Sequence, residues 1–346
     1  MEVLQCPVTE KKQDEIVSGH GGGGRMTRRL IEEIFRPAFG NPLLNQNHDA
    51  TILSVQNARI AFTTDSFVVD PIFFPGGDIG DLAVNGTVND LLCSGATPLY
   101  LSAGFILEEG FPIETLRRIV ESMRLAAARA GVSIVTGDTK VVERGKGDQI
   151  YINTSGIGII PDGIHIGLSQ IRKGDVVLVT GEIGNHGTSV LSARENLGFE
   201  SIIQSDTAAL TRLVSNLLGG VPGVRFMRDP TRGGLSATLN EVAEDTGVTI
   251  TIDEEAIPIS DPVAAACDLL GIDPLGMANE GVLLIVVAKQ SAEQALSIIR
   301  NSPHGRLAAC IGSVTSDTGS CVELRLPLGQ TRVLEMMSGE QLPRIC

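Results

Sequence analysis

Asn47-His48-Asp49-Ala50-Thr51-Ile52-Leu53-Ser54-Val55-Gln56-Asn57-Ala58-Arg59-Ile60-Ala61-Phe62-Thr63-Thr64-Asp65-Ser66 is the stretch from which the fold is read. Residues 51–55 and 59–63 alternate in polarity around Gln56-Asn57, the pattern of a β-hairpin. Asp49 opens the first strand and Asp65 closes the second, so the hairpin carries two carboxylates to neighbouring strand ends.

Upstream, Met26, Leu30, Ile31, Ile34 and Phe35 recur at helical spacing between Thr27 and Pro37. Downstream, helical patterns cover 81–94 and 112–130, and strands fall near 99–107, 132–136 and 149–159. The stretch 161–175 is rich in glycine and polar residues and leads into the apolar run 176–180, which sets a domain boundary there. Beyond it the alternation repeats, with strands near 176–180, 248–252, 282–287 and 307–314. Helices are expected at 188–196, 207–218, 234–245, 262–270 and 291–300. The reading is an α/β (α+β) protein of two domains: a lead-in 1–18, an N-terminal domain 19–160, a C-terminal α/β domain 175–336 and a tail 337–346.

A chain of 346 residues with 42% hydrophobic and 20% charged residues has enough apolar material for two cores, so it is globular rather than disordered. Forty glycines against 3% aromatics point to many tight turns and close backbone approaches in an aliphatic core. A net charge of −14 argues against nucleic acid and anionic membrane as partners, since both need a basic surface. Any polyanionic ligand must then be met locally, by metal ions or backbone amides. Six cysteines without a CxxC pair suggest neither a zinc site nor a disulfide framework and fit a reducing cytoplasm. There is no secretory signal and no apolar run of about 18 residues, so a cytoplasmic protein is expected.

The run His20-Gly21-Gly22-Gly23-Gly24 precedes a helix, where free backbone N–H groups and the helix dipole favour an anion. It is not a Walker A loop, because no Lys-Ser/Thr follows at the required spacing. Asp49, Asp65, Asp90 on the 81–94 helix, Asp138 just past a strand and Asp229 just before a helix form an acidic set. Singly, each reads as a turn or cap residue; together they suit Mg²⁺, which takes oxygen ligands and bridges to substrate phosphates. Lys140 and Glu280 can move protons or orient a substrate if desolvated. Among the histidines only His20 and His186, both beside glycines, stand out. The last residue is Cys346, in Leu342-Pro343-Arg344-Ile345-Cys346, and a thiol at the end of an extended tail can be carried bodily into a site.

These segments resemble the hydrogenase maturation factor HypE family. The matching stretches are His20-Gly-Gly-Gly-Gly, Thr63-Thr-Asp-Ser-Phe, Gly77-Asp-Ile-Gly-Asp-Leu-Ala, Val88-Asn-Asp-Leu, Thr136-Gly-Asp-Thr-Lys-Val, Asp229-Pro-Thr-Arg-Gly-Gly-Leu, Asn279-Glu-Gly and the terminal Pro343-Arg-Ile-Cys. Most are shared more loosely with aminoimidazole ribonucleotide synthetase, selenophosphate synthetase and thiamine-monophosphate kinase; the terminal Pro-Arg-Ile-Cys is the diagnostic one. The resemblance implies a homodimer whose N-terminal strands form a shared barrel, ATP near that interface, and a mobile C-terminal tail. It implies S-carbamoylation of Cys346 by the carbamoyltransferase HypF, ATP-dependent dehydration to a thiocyanate, and transfer of cyanide to iron on a HypC–HypD complex. Carried over by motif, Asp49, Asp65, Asp90 and Asp229 hold Mg²⁺, Asp49, Asp65 and Asp138 meet the nucleotide, and Gly21, Gly22, Gly23 and Gly24 cover its phosphates. Lys140 and Glu280 become the pair that positions and deprotonates the carboxamide.

Two other readings use the same nucleotide site. A selenophosphate synthetase or thiamine-monophosphate kinase activity leaves Cys346 unexplained, and a non-catalytic carrier would present the modified Cys346 without turning ATP over.

Overall fold

The computed structural model describes residues 16, 20, 22, 24–39, 41–195, 203–336 and 344–346. Most of the lead-in, Gly21, Gly23, the end of the 188–196 helix and the tail from 337 to 343 therefore lie outside the described residues.

The first half begins with α1 (Arg25–Leu30), which runs through a π-helical turn, Ile31–Phe35, into α2 (Arg36–Phe39). Then come β1 (Thr51–Val55), β2 (Ala58–Phe67), the short pair β3 (Phe73–Phe74) and β4 (Gly77–Asp78), α3 (Ile79–Cys93), β5 (Thr97–Glu108), α4 (Ile113–Ala130), β6 (Ser133–Val142) and β7 (Ile150–Ile160). The hairpin β1–β2 forms in the expected register, Val55 opposite Ala58. Five strands make one sheet in the order β1-β2-β7-β5-β6, antiparallel except for β5–β6, which are joined through α4 as parallel neighbours must be.

One face of this sheet is covered by α3. Every residue of α3 but Asp90 is buried, because sheet and helix α4 enclose it on one side and the second half of the chain on the other. Its sequence, apolar on all sides, is what such a position requires. The Asp78 carboxylate caps it, accepting from the N–H groups of Gly80 and Asp81 at 2.7 and 3.1 Å. The other face is open. Phe62, Tyr100, Ile157 and Ile159 are exposed there, and nine of the ten residues of the edge strand β6 are exposed as well.

The second half contains β8 (Val176–Val179), α5 (Asn185–Glu195), α6 (Thr211–Gly220), β9 (Val224–Arg228), α7 (Gly234–Thr246), β10 (Thr249–Asp253), α8 (Asp261–Leu270), β11 (Leu284–Val287), α9 (Ala292–Arg300), β12 (Ala309–Ser316), β13 (Cys321–Arg325) and β14 (Thr331–Val333). Seven strands order as β14-β13-β10-β12-β8-β11-β9. The sequence reading omits β9, β13 and β14, whose mixed polar residues give short alternations with little contrast. No described helix is long and apolar enough to cross a membrane.

Phe226 on β9 is fully buried against Val179, Leu239 and Val286 in the second core, and its ring meets His48 edge-on at 5.5 Å. It thereby packs the second half against the loop that carries Asp49. Phe226→Ala is expected to destabilise the fold by about 3–5 kcal/mol in urea unfolding; a loss below about 1 kcal/mol contradicts this packing role.

Candidate active site

The two halves meet at a buried seam of acids. Asp49 enters from the loop before β1, Asp65 from β2, Asp90 from α3, Asp229 from the turn after β9 and Glu280 from the loop before β11. Thr63 on β2 fixes two of them, its hydroxyl lying 2.7 Å from Asp90 Oδ2 and 2.9 Å from the Asp49 carbonyl. Arg228 Nε donates to Asp49 Oδ1 at 2.7 Å and Nη1 to Glu241 at 3.1 Å. Asn89 Nδ2 donates to the Glu280 carbonyl at 3.1 Å, while the Asp206 carboxylate accepts the N–H groups of Glu280 and Gly281 at 3.2 Å.

Two glycines make this approach possible. A Cβ at Gly281 would stand 1.8 Å from the Asp206 carbonyl oxygen, and Gly234, at φ +62°, would put one 2.5 Å from the Met277 carbonyl oxygen.

The electrostatics follow from crowding. Burial pushes Asp90 and Asp229 well above the usual carboxylate range, and the neighbouring aspartates add to the rise. Burial raises Asp65 too, against the Arg232 charge. Glu280 is held well above its ordinary value by burial and then by Asp229 and Asp206. Asp49 Oδ2 and Glu280 Oε1 are buried without a hydrogen-bond partner. Asp49 and Asp229 bring carboxylate oxygens within 4.8 Å of each other, and with Asp49 Oδ2 unspent as an acceptor they fit a hard divalent cation.

Cys346 reaches this place. The Val68 N–H donates to its backbone oxygen at 3.2 Å, and the Asp70 N–H to the Arg344 carbonyl at 3.1 Å, so the end of the chain lies antiparallel beside the segment that continues β2. Burial and then Glu280 push the thiol up to about 12, with Arg232 pulling the other way.

Asp138 and Lys140 are elsewhere. Asp138 lies within β6 rather than past its end, because that strand runs six residues beyond the predicted stop at 136. It pairs with Gly104, which pairs with Asn153, which pairs with Ser66. Three strand spacings, about 14 Å, therefore separate it from β2. Its side chain also faces the open side of the sheet, opposite to that of Asp65, since neighbours along a strand alternate. Lys140 shares that face and sits 3.7 Å from Asp138, both side chains 74% exposed. One chain thus gathers Asp49, Asp65, Asp90, Asp229, Glu280 and Cys346 but leaves Asp138 and Lys140 outside. Gly24 is the N-cap of α1 and Gly22 lies just before it.

Arg228, Arg232, Asp206 and Cys93 escape the sequence reading. Arg232 was within the quoted Asp-Pro-Thr-Arg-Gly-Gly motif, and a cation beside so many acids was the available signal. Cys93 is fully buried, with its sulfur and the nearest carboxylate oxygens of Asp49 and Asp229 mutually within 4.8 Å.

Residues 47–160 match the family described as AIR synthase related protein, N-terminal domain, and residues 172–324 the corresponding C-terminal domain. Two such domains closing on a buried acidic seam define the class: an AIR synthase-related enzyme. The carbamoyl dehydratase HypE of Azotobacter vinelandii is 53% identical over 327 residues, covering 94% of this chain and 96% of that one. A crystal structure of a HypE–HypF complex superimposes with TM-score 0.85 at 46% identity, covering 89% of this chain and 99% of that chain. HypE in complex with ATP gives TM-score 0.81 at 47% identity, covering 94% and 98%. The chain belongs to the HypE family of carbamoyl dehydratases. Thiamine monophosphate kinase from Aquifex aeolicus, at 18% identity and TM-score 0.67, covering 89% and 99%, shares the fold alone.

A raised thiol pKa means that the neutral form persists above the pH at which a free cysteine ionises. The thiolate absorbance difference between the protein and Cys346→Ser is expected to stay flat through about pH 9.5. A step near pH 8.5 contradicts the docked, desolvated thiol.

Proposed function

We propose that the protein dehydrates an S-carbamoyl group on Cys346 to a thiocyanate at the expense of ATP, supplying cyanide for the iron of a [NiFe]-hydrogenase. The observation that carries this reading is the buried Cys346, whose thiol feels the charges of Glu280, Arg232, Asp65 and Asp229, together with Glu280 Oε1, a buried acceptor without a partner. Relatives of the family support the rest: one forms a complex with HypF, another binds ATP. HypF is accordingly the carbamoyl donor and a HypC–HypD complex the acceptor of the cyano group.

The amide oxygen is a poor leaving group until it is phosphorylated. Carbamoyl oxygen attacks the γ-phosphorus of ATP and ADP leaves, one N–H proton passing to a base to give the neutral imidoyl phosphate; this loses its second N–H proton to a base as phosphate departs, and the C≡N triple bond forms. Mg²⁺ would supply the charge neutralisation this transfer needs. Asp49, Asp65, Asp90 and Asp229 are the residues to hold it, and the unpartnered Asp49 Oδ2 is the atom that fits. Glu280, whose carboxyl burial holds well above its ordinary value, is in its carboxylate form a stronger base than a free glutamate and takes the N–H protons. Arg232 places positive charge beside the thiol sulfur and Glu280. Gly21 to Gly24 are assigned to cover the phosphates; beside α1, which follows them, lies a cavity of about 500 Å³ lined by Arg28, Phe35, His48 and Arg228.

The working units are 19–160, 175–336 and a tail 337–346 that swings out for loading and in for dehydration. Lys140 and Asp138 reach the site in trans. The open apolar face and the unpaired edge of β6 favour a second copy, and a two-fold pairing there closes the two sheets into one barrel. Each β6 then presents Lys140 and Asp138 to its partner, where the lysine orients the carboxamide and the aspartate meets the nucleotide.

Intact mass after incubation with HypF, carbamoyl phosphate and Mg-ATP tests the reaction. Wild type is expected to gain a carbamoyl group on Cys346 and then lose one water, and Glu280→Gln to stop at the carbamoyl adduct. A persistent adduct in wild type would leave a carrier, and full dehydration by Glu280→Gln would remove Glu280 from the mechanism. Mixing Lys140→Ala with Glu280→Gln protomers tests the trans arrangement: refolded together they are expected to regain about a quarter of wild-type turnover, because half the dimers carry one intact site. No recovery contradicts it.

A further inference from the structure

The end of the chain is held by more than the strand-like pairing. The Ile345 carbonyl points away from Val68 and Asp70 and meets His186 Nε2 at 2.8 Å. His186 lies in the first turn of α5, is completely buried, and packs edge-on against Phe74 at 5.4 Å. Its Nδ1 is 2.8 Å from Ser205 Oγ.

Which ring nitrogen carries the proton follows from the carbonyl. The Ile345 oxygen can only accept, so Nε2 carries the hydrogen; Nδ1 of the neutral ring is then an acceptor and takes the Ser205 hydroxyl proton, while Ser205 Oγ accepts the Thr207 N–H at 3.1 Å. Ser205 is in turn fixed by its N–H on the Pro75 carbonyl at 2.8 Å. Arg194, also on α5, donates to the carbonyls of Arg344 and Asp70 at 2.7 and 2.6 Å, binding the tail and its neighbouring segment with one guanidinium. Burial holds His186 down to about 4, so the ring remains neutral and its donor stays on the same nitrogen.

The His186 backbone also meets Asp206, which holds the Glu280 loop, and all three backbone oxygens of 344–346 are met by donors built into the body. We propose that His186 is a positioning residue, a latch whose Nε2–H holds the Arg344-Ile345-Cys346 strand in the site, with Ser205 fixing its tautomer. The proposal rests on the dehydratase reading for what the held thiol does, but not for whether it is held.

The test is the rate of iodoacetamide alkylation at each cysteine of the full chain, read by peptide mass spectrometry. In His186→Ala the Cys346 rate is expected to rise about tenfold, the weight of one buried hydrogen bond, because the released thiol regains an ordinary pKa. Cys93 and Cys267, both buried, should stay slow and report that the fold is intact. His186→Gln, whose amide N–H can still reach Ile345, should return Cys346 to near the wild-type rate. Ser205→Ala, which frees the tautomer while keeping the ring, should give a smaller rise and decides the matter if the alanine variant exposes Cys93. An unchanged Cys346 rate in His186→Ala with Cys93 protected, or no rise in Ser205→Ala, overturns the latch. On carbamoylated protein, His186→Ala should accept the group at least as fast as wild type and dehydrate it more slowly. Absence of dehydration in wild type would instead count against the dehydratase reading and leave the alkylation result standing.

Discussion

Repulsion among carboxylates at the seam between the two halves is the constraint from which the rest of the site follows. Asp65, Asp90, Asp229 and Glu280 are all raised by burial, and each neighbour's charge adds to the cost of ionising the next. A fold keeps such a cluster only where other groups hold it in place. Here Thr63, Arg228, Arg232 and the N–H groups bound by Asp206 do so, drawn from both halves of the chain. The charge left over is what calls for a divalent cation and a phosphate-bearing partner.

The same desolvation shapes the chemistry of the terminal thiol. A cysteine pushed up to about 12 is a poor nucleophile, so the docked Cys346 is not a thiol waiting to be acylated in place. In the proposed reaction, loading therefore falls to the undocked thiol, which ionises normally. In the same proposed reaction, dehydration falls to the docked state, where the thiol is desolvated and Glu280 contributes to its raised pKa. The tail is held by its backbone, by the Arg344 guanidinium on Asp70 and Asp148 and by the buried Ile345 side chain, none of which involves the sulfur, so it can dock whether or not the sulfur is carrying a group.

The hairpin, the α/β alternation and the acids on Asp49, Asp65, Asp90 and Asp229 were legible because local periodicity and turn chemistry fix strand ends. Where β6 stops was not: Gly137-Asp138-Thr139 reads as a turn, yet parallel pairing with β5 carries the strand through it. The side of the sheet on which Lys140 emerges depends on that register, and a single residue of error reverses it. His186 stood out only by its glycine neighbour, since its partner lies 159 residues away and no local pattern records so distant a contact. Family resemblance named the reaction, whereas the burial that sets the protonation of Glu280 and Cys346 comes from packing between halves.

Infrared spectroscopy of the protein after loading with carbamoyl phosphate labelled in carbon and nitrogen tests the central claim most directly, because nitriles absorb where proteins do not. The account predicts a nitrile band on Cys346 that appears only with Mg-ATP and shifts with each label. A labelled amide that persists under turnover conditions, with no nitrile band, would contradict it.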